Sequence, residues 1–175
     1  MELSEVKELQ ETAAESREHH AKGVGLTTAV VAVLLAITTM LGHRTHTETV
    51  LLQSRAVDQW GYYQAKNIRA HMYEANSEMA AALAPQAKLA DNFKSRGEKQ
   101  RADAEKIRTD AEKLETETQA AERKAAHYDT AEIFFEIAIV LCSITLLSGS
   151  PIYWRLSFLS SLVGIAVVAR GMWMR

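Results

Sequence analysis

Cysteine is almost absent from this chain: Cys142 stands alone among 175 residues. One thiol closes no disulfide within a chain and builds no thiolate zinc site, which excludes both kinds of stapled small scaffold. Proline is nearly as scarce, at Pro85 and Pro151 only, and no window alternates as a strand would. Long helices are the architecture that remains, and the fold class expected is all-α. Lys and Arg (20) nearly balance Asp and Glu (22), and no basic face stands out, so nucleic-acid binding has no footprint here. The sequence also lacks a Gly-rich phosphate loop, an H-E-x-x-H helix, a nucleophile elbow and a Ser/His/Asp setting. A non-enzymatic protein without cofactor or metal is the expectation.

What the chain does have is segregation. Residues 24–41, VGLTTAVVAVLLAITTML, carry no charge over eighteen positions. At about 1.5 Å rise they reach roughly 27 Å, close to the hydrocarbon thickness of a bilayer. A helix apolar on every side needs either lipid or other protein around all of it. A second apolar run at 133–147, extended to a span of 132–148, contains Glu132 and Glu136. A third occupies 152–170, bordered by Tyr153, Trp154 and Trp173 where interfacial aromatics belong. Ser148, Gly149, Ser150 and Pro151 form the turn between them. Residues 1–23 make an acidic amphipathic tail, with Ser4 as N-cap and Leu3, Val6, Gln10, Ala13 and Ala14 on one face. The tail has neither the basic start nor the small-residue cleavage site of a secretory signal, so the first span is expected to stay attached.

Between the first two spans, residues 42–131 are polar and hold no breaker except Pro85. Arms of 42 residues (43–84) and 46 residues (86–131) on either side of it predict an antiparallel helical hairpin, each arm roughly 65 Å long. A turn at Gly97 would leave unequal arms. On the second arm Leu89, Phe93, Gly97, Gln100, Ala104, Ile107, Ala111, Leu114, Thr118, Ala121, Ala125 and Tyr128 recur in three- and four-residue steps. On the first arm Val50, Val57, Trp60, Gln64, Ile68, Ala75, Met79 and Leu83 do nearly the same. Such spacing predicts a coiled-coil-like seam between the arms. An alanine-rich seam removes little surface from water, so further burial is expected from other copies of the chain.

Three spans place the chain ends on opposite sides. Within about fifteen residues of the span ends, the tail side carries Arg17, Lys22 and Arg155, whereas the hairpin side carries Arg44, Arg55, Arg123, Lys124, Arg170 and Arg175. Three against six favours a cytoplasmic hairpin. Glu132 and Glu136, one turn apart, are the candidate intramembrane charge site. An acid at the bilayer centre costs about 2.5–3.5 kcal/mol on insertion scales, so each needs a partner, a proton or water. Either they sit near the headgroups beside Arg44 or Arg170, or a ring of Glu136 side chains lines a path in an oligomer. His19 with His20, and His43 with His46 and Glu48, lack a third ligand at a fixed spacing and are weak metal candidates, with His127 and Asp129 near the same interface as groups that could contribute. Cys142 reads as a small residue facing lipid or a helix.

The segment Trp60-Gly61-Tyr62-Tyr63-Gln64-Ala65-Lys66-Asn67-Ile68-Arg69 resembles a bacterial membrane-protein family of unknown function. Its members carry W-x-Y-Y-Q-A-K-x-I-[KR] between their first and second spans. The run His127-Tyr128-Asp129-Thr130-Ala131-Glu132 is similar to that family's entry into its second span. The resemblance implies a multi-pass protein of the bacterial inner membrane and no activity. Physically, Trp60, Tyr63, Gln64, Lys66 and Ile68 are the candidate oligomer or partner contacts. They serve either as a polar layer that sets pairing register or as a recognition surface. The partners expected are the bilayer, further copies of the chain and another membrane complex.

Overall fold

The computed structural model describes the backbone of residues 3–83 and 88–173, and the side chains of 18, 21–83 and 88–173. It contains three helices, α1 (Leu3–Leu83), α2 (Leu89–Ser148) and α3 (Pro151–Trp173), and no strand among the described residues. The absence of proline lets α1 run for 81 residues and α2 for 60. Asp91 lies in the first turn of α2, where a negative charge suits the exposed N–H groups. α1 is already helical at Leu3, ahead of the N-cap position expected at Ser4. The side chains of the expected amphipathic tail face, of His19 and His20, and the expected turn at Pro85 lie outside the described residues.

The α2–α3 connection follows from its residues. Gly149 has φ +67°, a left-handed value that ends helices and favours glycine, and its N–H bonds the carbonyl of Thr145 at 2.8 Å. The Ser148 hydroxyl donates to the carbonyl of Ile144 and accepts from the N–H of Ser150. Pro151 then opens α3, where its missing N–H costs nothing.

The chain divides into two compact units, Met1–His46 with Glu122–Arg175, and Thr47–Ala121. In the first, Val31, Ala131, Phe135 and Ala138 form a buried cluster under Leu34, Leu35, Ile139, Val167 and Val168. Small residues bring the helices close. A Cβ built on Gly164 would stand 2.9 Å from the Phe135 ring, one on Gly171 3.1 Å from His127 Cβ, and one on Gly42 3.6 Å from Tyr128 Cβ. Hydroxyls fill the same role: Ser160 donates to the carbonyl of Phe134, and the buried Cys142 thiol donates to Ser157 at 3.3 Å. Cys142 therefore faces a helix. Thr27, Thr28, Thr38 and Thr45 each bond the carbonyl four residues back, so these hydroxyls need no water.

In the second unit α1 and α2 meet through Ser77 and the carbonyl of Ala90, stacked Tyr73 and Phe93, Lys66 and Asp103, and Glu74 and Arg101. Numbers fall along α2 as they rise along α1. Gly97 is buried inside α2, where a Cβ would lie 3.3 Å from Tyr73 Cβ, so it marks a close approach rather than a turn. Of the residues singled out on α2, Gly97, Ala104, Ala111 and Ala121 are buried, and Phe93, Gln100, Ile107, Leu114 and Thr118 are half-buried. Leu89 at its start is exposed.

The first arm corrects the expectation. Of its eight seam candidates only Trp60 is half-buried; Val50, Val57, Gln64, Ile68, Ala75, Met79 and Leu83 are all exposed. α1 instead turns Leu52, Ala56, Tyr63, Ala70, Tyr73, Ser77 and Ala80 inward, a set of mostly small or hydrogen-bonding residues. Glycine and alanine on α2 allow so close an approach only to a face that is itself small or flat.

All three helices are long and apolar enough to cross a membrane: Ala21–Leu83 and Leu89–Ser148 each contain such a window, and Pro151–Trp173 supplies the third. These features are consistent with a membrane protein.

Candidate functional site

The acidic pair separates. Glu132 is half-buried against α1 and accepts a 2.8 Å hydrogen bond from the Thr39 hydroxyl. Its partner is thus an uncharged hydroxyl, not the Arg44 or Arg170 expected. One turn earlier, His46 Nε2 lies 3.0 Å from Asp129 Oδ1 and 3.1 Å from Oδ2. Tyr128 is buried beside Gly42, which leaves room for it. These contacts make a short polar ladder between α1 and α2. The sequence signalled Glu132, and Asp129 as a group that could join His43 and His46, but not Thr39, because nothing local states which turn of α1 meets α2.

Glu136 behaves differently. It is exposed on the first unit, among the exposed Ile133, Ile137 and Val140 of the same helix. Among the described residues that face stays exposed. His43 and His46 do not join into a ligand set: no group of three or more His, Cys, Asp or Glu suited to a metal occurs among the described residues. His127 instead engages the carbonyl of Arg123 through Nδ1 at 2.8 Å. On α3, Trp154 sends its indole N–H to the Thr27 hydroxyl at 3.2 Å, which ties α3 to α1.

The Trp60–Arg69 segment also splits, by helix face. Trp60 and Tyr63 meet edge to face at 5.6 Å and 88° and, with Lys66, are half-buried. Lys66 Nζ donates to Asp103 Oδ2 at 3.0 Å. That hydrogen bond, and after it the ammonium charge, hold the Asp103 carboxyl below the usual carboxylate range. Gln64 and Ile68 point away from α2 and are exposed. The motif therefore presents one set of residues toward α2 and another outward. Further along, Glu112 raises the pKa of the Arg108 guanidinium through a 2.9 Å hydrogen bond and its charge, with Glu105 adding to it.

A half-open groove of about 250 Å³ lies between the two arms, lined by Ala70, Ser77, Glu74, Glu78, Lys94, Gly97, Glu98 and Arg101. Arg101 crosses it to Glu74 at 2.7 Å, and His71 approaches the same carboxylate at 3.4 Å. An ion pair that spans the groove from one helix to the other is a pattern of helix pairing. Nearby, Gln100 Oε1 is buried and accepts no hydrogen bond from any described group.

Residues 20–174 match the family described as a domain of unknown function (DUF4337), and the chain belongs to that family. No curated protein and no solved structure matches it.

Proposed function

We propose that this member of the family is a non-enzymatic integral membrane protein that self-assembles, acting as a scaffold or as an accessory subunit of a membrane complex. The observation that carries this reading is how little of the apolar windows the chain covers itself. The rest of the protein buries 17% of the window in α1, 28% in α2 and 17% in α3. In water, such exposure would be unsustainable at about 25 cal/mol for each Å². Lipid and other subunits are the environments that remove it. In this reading the three helices cross the bacterial inner membrane. The α1–α2 contacts of the second unit form an antiparallel, coiled-coil-like hairpin, placed in the cytoplasm by the Lys and Arg count. The sequence carries no catalytic motif, and this reading takes the Thr39–Glu132 contact of the polar ladder as a structural hydrogen bond. The test is mass in detergent or nanodiscs, where assembly predicts a multiple of 19.5 kDa. A single-chain mass would sink it.

The second reading is a small homo-oligomeric channel or ion-responsive protein. Its support is Glu136, exposed on an otherwise apolar helix face where only lipid or another subunit can meet it. Packed around an axis, several copies would turn these carboxylates toward a common path. Cation flux into liposomes that persists unchanged in Glu136→Ala would remove this reading.

A further inference from the structure

The second unit has two outer faces of opposite character. Its exposed large hydrophobic residues, apart from Leu89, all lie on α1. Leu51 and Tyr62 stand to one side, and the other six fall into a line. Val57, Ile68 and Met79 are spaced by eleven residues, and so are Val50, Gly61, Met72 and Leu83. Eleven residues come to about three helical turns, so both sets fall on one stripe. Ser54, Gln64 and Ala75 fill the remaining turns, and no Asp, Glu, Lys or Arg interrupts it. Val50, Val57, Ile68, Met72, Met79 and Leu83 are 59–80% exposed, although an apolar stripe this regular is the usual signature of a buried one.

We propose that this outward face of α1, from Val50 to Leu83, is the surface on which a second copy of the chain docks, α1 against α1, parallel and in register. The proposal deepens the self-assembly reading and rests on it. Three features favour a second copy over another occupant. The stripe's period must be matched over about 50 Å, and an identical helix matches it at every layer. The outer face of α2 is no substitute within the chain: it is studded with both signs of charge, such as Glu105, Arg108, Glu112 and Lys113. And the area suits a dimer. A strip about 50 Å long and about 10 Å wide removes about 500 Å² per copy, or about 1,000 Å² in all, the lower bound for a specific interface. Copies inserted the same way in one bilayer carry α1 in the same direction, which brings like residues together. An eleven-residue repeat is slightly underwound relative to a heptad seam, so the pair should coil weakly and to the right.

Cysteine scanning of the full chain in native membrane vesicles tests this. In a Cys142→Ser background, Val57→Cys, Ile68→Cys and Met79→Cys should each give disulfide-linked dimers under mild oxidation. Lys113→Cys, on the outer face of α2, should not. The double variant Ile68→Glu/Met72→Glu should dissociate at protein concentrations at least about tenfold higher than wild type, with unchanged helicity, since both residues are exposed. A single-chain mass for wild type would remove the assembly reading and this interface together. A wild-type multimer whose mass survives the double variant, with no self-links at the three positions, would overturn the interface alone. So would links of equal yield at Lys113→Cys, which report collision.

Discussion

Gly164 has no room for a methyl group. A Cβ there would meet three atoms of the Phe135 ring at 2.9–3.2 Å, and that ring is 1% exposed, with nowhere to swing. Gly164→Ala should therefore destabilise the first unit by about 1–3 kcal/mol, an overpacking cost. Adding Phe135→Leu should recover part of it. Thermal unfolding in one detergent compares the three proteins, and equal midpoints would show that the ring can move. Asp103 predicts a pH effect. Lys66 lowers its folded pKa beneath the unfolded value of about 3.9. The stabilisation is full above the unfolded value and is lost as pH falls through the folded one. Acidification below about pH 4 should lower the melting temperature of wild type more than that of Asp103→Asn. Because the pair is solvent-accessible, the difference should be small and should shrink in high salt. Identical acid profiles for both proteins would dismiss the pair's role.

At the scale of elements, continuity of α1 is the feature to challenge. Ser54 is exposed in the middle of an uninterrupted helix, so Ser54→Pro removes no side-chain packing. It does remove a backbone hydrogen bond and clashes with the preceding turn, a cost of about 3 kcal/mol or more. Amide exchange should then lose protection locally around position 54, while α3 keeps its own. The two arms also explain what periodicity could and could not convey. α2 has one apolar stripe between Phe93 and Ala121, so that stripe had to meet its partner, and it does. α1 has two usable faces, one of larger apolar residues and one with Ala56, Tyr63, Ala70, Tyr73 and Ser77. Hydrophobicity alone chooses the former. Close approach at Gly97, the Lys66–Asp103 pair and the Tyr73–Phe93 stack choose the latter.

For the whole molecule, the proposed three-span reading puts Ser150 and Glu105 on opposite sides of the membrane. In a Cys142→Ser background, Ser150→Cys and Glu105→Cys should differ in reaction with a membrane-impermeant maleimide on intact cells, one labelling only after permeabilisation. Matching labelling of both would defeat the three-span reading. The same chemistry tests the proposed orientation, in which Glu105 lies inside. The proposals of self-assembly and membrane insertion rest on one observation: among the described residues, the apolar surface lies mostly outside the chain's own packing, both in the windows of α1, α2 and α3 and along 50–83 of α1.

Sequence by itself determined the helices, their approximate limits and the three apolar runs, because proline scarcity and uncharged stretches act locally along the backbone. It also determined the α2 seam, where a single stripe left no choice. Tertiary structure alone decided partners: Thr39 for Glu132, Asp129 for His46, Ser157 for Cys142, and the outward turn of Val57, Ile68 and Met79. A helix's rotation about its axis is a contest between all of its faces and those of its neighbours. Local composition records the contestants, and only their packing against one another settles which face is left for another chain.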